Sequence, residues 1–201
     1  MGVLGEILFY RRDQVDLDDM LRYQVDQLRA KVDGLPEKLF SEKSDEELAQ
    51  IIAQQEAVEP LAVDFAAGRP SVREKQVEVH DQFGFERGPV RISGLEVTKS
   101  FPFKGDPEIW RLRTNPWGTN PPRGEVRGDM LVIGISVPAQ QTEEAARYIE
   151  ETITQIAEYL QRQEAQISQH NASLASRSTQ WIMTRRQRLT AASDLLKKLG
   201  R

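Results

Sequence analysis

Three arginines stand within four residues near the end of the chain, at Arg185, Arg186 and Arg188. Guanidinium groups bind phosphates through paired charge-assisted hydrogen bonds, so this cluster is a candidate contact for a nucleotide or a nucleic acid. A helix would turn the three side chains about 100° apart per residue, which favours pairing with acids of the same chain instead. Trp181 is the one nearby aromatic residue that a base could stack on. Both interpretations stay open.

Two histidines are the remaining candidates for acid–base chemistry. His80 ends a strand-like run beside Asp81, and His170 lies in a polar stretch of a predicted helix. Neither has a second histidine or a cysteine at a spacing typical of a metal site. The chain also lacks a nucleophile-elbow motif for Ser–His–Asp catalysis. We therefore predict no catalytic residue, no cofactor and no metal.

Acidic residues and glycine-containing turns offer little more chemistry. Asp64, Glu74 and Glu78 resemble a nuclease-like acidic cluster, but their spacing fits the outer face of a sheet better. Residues 84–88 and 103–106 place glycine near lysine or arginine without matching a phosphate-binding loop. Ordinary turns explain both segments.

Composition narrows the class of protein. The 201 residues are 39% hydrophobic and 29% charged, which allows a core and leaves a large solvated surface. Cysteine is absent, so disulfides and thiol chemistry are excluded. The sequence has no run of 18 consecutive apolar residues, so no membrane span is predicted. The first residues also lack the basic start of a secretory signal. We expect a soluble cytoplasmic protein without a membrane partner.

The elements that position these residues are dominated by Thr142–Leu199, which contains no glycine and no proline. Apolar residues recur there with the spacing of one helical face. These seam residues are Ile149, Ile153, Ile156 and Leu160. Larger side chains then continue at intervals of seven, at Ile167, Leu174 and Trp181. The pattern predicts a long amphipathic helix that needs a partner surface.

The predicted helix carries opposite charges on its two halves. Residues 143–164 hold six acids and two bases, whereas residues 165–201 hold one acid and seven bases. An unbroken helix of this length would reach about 87 Å. We favour a helical hairpin that turns near residues 168–173, where the seam positions become Gln163, His170 and Arg177. A protruding, oligomerising coiled coil is the alternative.

Two shorter amphipathic helices are predicted near the start of the chain. Asp16 is placed to cap the first, whose apolar stripe ends before Gly34. Ser44 and Glu47 have the spacing of a capping box at the start of the second. Pro60 closes that helix.

Short β-branched runs with glycine and proline between them predict strands over residues 61–65, 72–80, 90–98, 109–113 and 126–137. Because no helix separates these runs, the sheet should be antiparallel. Residues 84–89 and 115–124 are predicted loops, and residues 100–107 a corner anchored by aromatic side chains. The fold class is α+β, with a globular domain over residues 1–140 and a helical arm over residues 141–201.

One order of motifs resembles a known group of proteins. It comprises Gly94-Leu95-Glu96-Val97, Phe101-Pro102-Phe103, Gly105-Asp106, Trp110, Pro122-Arg123-Gly124-Glu125-Val126, His170-Asn171, Leu174, Ile182 and Arg185-Arg186. The chain resembles the N-terminal region of bacterial proteins that can carry a TIR-like or nuclease-like effector domain in antiviral, phage-defence settings. The resemblance covers most of residues 60–190 and supplies no catalytic residue. It leaves open whether the chain belongs to a longer protein or is a separate subunit.

The function that follows is a scaffold, sensor or interaction subunit without enzymatic activity. The long helix is the expected surface for protein–protein interaction, either with another protein or by self-association as an oligomer. The alternative is nucleic-acid or nucleotide binding through Arg185, Arg186 and Arg188.

Overall fold

The protein combines helices with an antiparallel sheet, which confirms the predicted α+β class. A computed structural model describes residues 2–10, 16–80, 89–116, 118 and 120–200, apart from the side chains of His80 and Pro89. The helices are α1 (Leu17–Gly34), α2 (Glu37–Glu42), α3 (Asp45–Gln55) and α4 (Thr142–Leu199), with a 3-10 helix at Pro107–Arg111. The strands are β1 (Gly2–Val3), β2 (Glu6–Ile7), β3 (Ala62–Val63), β4 (Arg69–His80), β5 (Pro89–Lys104), β6 (Arg123–Arg127) and β7 (Met130–Pro138).

The chain divides into two compact units. Met1–Asp16 and Pro60–Glu164 form the sheet unit, and Leu17–Glu59 and Ala165–Arg201 form the helical unit. Helix α4 contributes residues to both. The predicted domain boundary between residues 140 and 141 stays a prediction, because compactness does not show which segments fold independently.

The sheet unit is organised around β5. Its 16 residues pair with β7 along one edge and with β4 and β3 along the other, and every ladder between the described strands is antiparallel, as predicted. Through β7 and β6 the described sheet continues to β2, while β1 also pairs with β7. Val97, Ile135 and Val137 share one face of the sheet, where they pack against Ala145 and Tyr148 of α4.

An aromatic group fixes the start of the chain in this unit. The ring of Phe9 stacks on Tyr159 of α4 with 4.8 Å between centroids, and Trp110 lies 5.3 Å from Phe9. Phe103 meets Trp110 edge-on at 5.5 Å. Phe101, Phe103 and Trp110 are buried, so the aromatic anchoring predicted for residues 100–107 is confirmed. The predicted corner itself is narrower, since β5 continues through Lys104 and turns only at Gly105, where φ is +104°.

Two of the strand predictions were wrong in detail. Residues 109–113 were predicted as a strand, but this region begins with the 3-10 helix, because Pro107 has no N–H for a ladder and the Asp106 side chain accepts from the Glu108 N–H at 2.9 Å. The single run over residues 126–137 is a hairpin of β6 and β7, which reverses at Gly128 with φ +60°. Residues 84–88 of the predicted loop lie outside the described residues.

The short helices follow the predicted stripes. Leu17, Leu21, Leu28 and Val32 of α1 are buried, and the helix ends at Gly34. The capping box at α3 is confirmed, because the Ser44 hydroxyl accepts from the Glu47 N–H at 3.1 Å and Glu47 accepts from the Ser44 N–H at 2.8 Å. Helix α2 was not predicted, since six residues are too few for a visible period.

Helix α4 is continuous over 58 residues, so the hairpin predicted near residues 168–173 was wrong. The seam turns polar there because its side chains bond to buried polar groups of the chain. Gln163 donates to the Ile109 carbonyl at 3.2 Å, and His170 lies 2.7 Å from the Gln24 amide oxygen. A fading apolar stripe therefore marks polar packing rather than a turn.

Candidate functional site

Arg185 and Arg186 bind the ends of the short helices. The Arg185 guanidinium donates to the carbonyl oxygens of Val32, at 3.0 Å, and Leu35. Arg186 donates to the Phe40 carbonyl and, at 2.8 Å, to the Lys43 carbonyl. The last carbonyls of a helix lack partners within the helix and carry the negative end of its dipole. Each arginine thus donates to carbonyls at the C-terminal end of a short helix, and the Val32 carbonyl also accepts from the Leu35 N–H at 3.3 Å.

The same two guanidinium groups enclose an aromatic ring. Their centres lie 5.3 Å and 5.5 Å from the centroid of Phe40, a distance at which a cation is attracted to the ring. Arg186 also pairs with Asp45 at 2.6 Å, and both side chains are largely buried. This part of the arginine cluster therefore holds the helical unit together.

Arg188 is placed differently. It pairs with Asp33 of α1, and its side chain is 62% exposed. Beside it is a depression of about 190 Å³ lined by Asp33, Arg185, Arg188 and Leu189. Asp33 already supplies a carboxylate partner there. The acids of residues 143–164, which the predicted hairpin would have placed beside the arginines, belong to the sheet unit. A contact of the three arginines with an external anion stays a prediction.

The seam residues of the sheet unit are covered by the chain itself. Ile149, Ile156 and Leu160 are buried, and Ile153 is half-buried. Further along, Leu174 and Ile182 enter the core of the helical unit with Leu28, Val32, Phe40, Leu48 and Ile52. Trp181 and Leu189 pack against that core from its edge.

Beyond Leu189 the apolar face of α4 continues without cover. Ile182, Leu189 and Leu196 follow one another at intervals of seven, and they pass from fully buried through half-buried to 71% exposed. Leu195 and Leu199 flank Leu196 on the same face and are 56% and 74% exposed. We call these three leucines the distal stripe and residues 190–199 the distal segment. Every residue of this segment is exposed.

The distal stripe was missed in the sequence, although a signal was present. The prediction followed the interval of seven only as far as Trp181. Ile182, Leu189 and Leu196 follow the same interval of seven, one residue later than the series through Trp181. Extending the pattern along them would have placed the stripe on the core-facing side of the helix. The exposure of the distal stripe, in contrast, depends on how far along α4 the packing of the short helices extends.

The sheet unit carries a cleft of about 460 Å³ between β2, the 3-10 helix and β6. Its apolar lining is Ile7, Leu8, Pro107, Trp110 and Val126. Three carboxylates, those of Glu6, Glu108 and Glu125, line it together with one guanidinium, that of Arg111. The buried Nε1–H of Trp110 has no acceptor among the described residues. Two of the three carboxylates are paired, Glu108 with Arg111 at 3.1 Å and Glu125 with Arg127 at 2.6 Å, so the cleft combines apolar side chains with largely compensated charge.

His170 belongs to a polar network rather than to a catalytic site. Its Nε2–H faces the Oε1 of Gln24, whose amide group donates in turn to the Glu56 carbonyl at 2.5 Å. Asn171 exchanges two hydrogen bonds with the backbone of Val58, at 2.9 and 3.0 Å. Together these bonds tie the segment after α3 to α4. Burial lowers the pKa of the His170 imidazole, and the charge of Arg177 lowers it further.

The acids that resembled a nuclease cluster do not meet. Asp64 follows Val63, which pairs with Phe103, whereas Glu74 pairs with Leu95 eight positions earlier on β5. Asp64 itself lies opposite Pro102, so about seven residues of β5, or about 23 Å, separate Asp64 from Glu74 along the strand. The Asp64 carboxylate accepts from the backbone of Ala66 and Ala67, as in an ordinary turn. The His80 side chain lies outside the described residues.

The buried carboxylate of Glu96 is also accounted for. It accepts from Lys75 and, at 2.6 Å, from Arg73 on the neighbouring strand, and these contacts hold its pKa below the ordinary value. Among the described residues, no group of three or more His, Asp and Glu side chains is arranged to hold a metal ion. In the same part of the chain, none of the helices has the length and apolar character needed to cross a membrane.

Comparisons with known proteins give no assignment: no family model, no curated protein and no solved structure matches the chain.

We expect Arg186→Ala to lower the free energy of unfolding by about 2–4 kcal/mol, because it removes hydrogen bonds to two carbonyls at the end of α2 and leaves the largely buried Asp45 unpaired. Arg188→Ala should cost less than about 1 kcal/mol, since its ion pair is exposed. Urea denaturation followed by circular dichroism measures both. Equal, small effects of the two substitutions would contradict the structural role of Arg186.

We expect acid to destabilise the protein through His170. Because its pKa is lower in the folded state, the unfolded chain takes up the proton first as the pH falls below about 6.5, and the free energy of unfolding decreases. The decrease in the free energy of unfolding should level off below the folded-state pKa. It should total about 1.4 kcal/mol for each pH unit by which folding lowers the His170 pKa. His170→Gln, which keeps a donor near Gln24, should flatten this part of the profile. Parallel pH profiles of the two proteins, measured by urea denaturation, would exclude the effect.

Proposed function

We propose that this chain is a non-enzymatic interaction subunit and that the distal segment of α4 is its docking element. The observation that carries the proposal is the distal stripe: three leucines, each more than half exposed, on the face that α4 otherwise uses to enter a core. A contiguous apolar stripe on a surface helix indicates a binding partner.

The energetics of the distal segment support the same conclusion. Full burial of one leucine is worth about 1.5–3 kcal/mol, so covering three leucines that are more than half exposed contributes about 4 kcal/mol. A three-turn helix without packing has marginal stability in water. The distal segment therefore gains both apolar burial and helical stability when a partner covers it.

Binding through this segment fits a scaffold or sensor role. The arginines next to it hold the helical unit together, so the segment extends from a supported base rather than from a loose linker. The resemblance to the N-terminal regions of phage-defence proteins favours a bacterial anti-phage system as the setting. In such a system the subunit would bring an effector protein and its trigger together.

The test is site-specific photo-crosslinking in the native host. A photoreactive amino acid at position 196 should form protein adducts, and the same residue at position 190 should not, since Thr190 lies about 120° from Leu196 around the helix and about 170° from the centre of the distal stripe. Adding Leu195→Glu should weaken capture at position 196 by about 30-fold, which corresponds to about 2 kcal/mol of lost burial. Equal adducts from both positions, or adducts from neither, would overturn the proposed function.

A further inference from the structure

We draw no further inference here: the strongest candidate, the distal stripe of Leu195, Leu196 and Leu199 at the exposed end of α4, belongs to the docking element already described, and nothing in the structure shows what covers it.

Discussion

A 58-residue amphipathic helix has one face that must be covered along its whole length, and the rest of this structure depends on how that face is covered. The sheet unit covers it at Ile149, Ile156 and Leu160, and α1 to α3 cover it at Leu174 and Ile182. No described element covers the leucines after Leu189. The change from buried to exposed within one repeating register is what separates the structural part of α4 from the part that we propose binds a partner.

Polar residues within the covered face show that burial does not require an apolar side chain. Gln163 and His170 occupy seam positions and bond to a carbonyl and to an amide of the same chain. Arg185 and Arg186 extend this pattern, since their donors replace the hydrogen bonds that the ends of α1 and α2 lack. Such groups are costly to bury without partners. The 3-10 helix supplies the partner of Gln163, and α1 and α2 supply those of His170, Arg185 and Arg186.

What the sequence could predict follows from the distance over which each interaction acts. The capping box of Ser44 and Glu47 is local, and it was predicted correctly. The 3-10 helix at Pro107–Arg111 was not, because the Asp106 cap outweighs the β-like composition of residues 109–113. The hairpin was predicted wrongly because the sequence cannot show that His170 faces Gln24, 146 residues away, rather than water. The partners of Arg186 are as distant, which left structural pairing and anion binding unresolved.

The central claim is that the face of α4 is satisfied within the molecule as far as Leu189 and depends on a partner beyond it. Hydrogen–deuterium exchange along α4, followed by mass spectrometry in dilute monomeric protein, tests this most directly. We expect slow exchange over residues 167–189, fast exchange over residues 190–199, and slower exchange of the distal segment once a partner is bound. Exchange over residues 190–199 in the dilute monomer that is as slow as over residues 174–182 would contradict the claim, because it would show that this face is already covered.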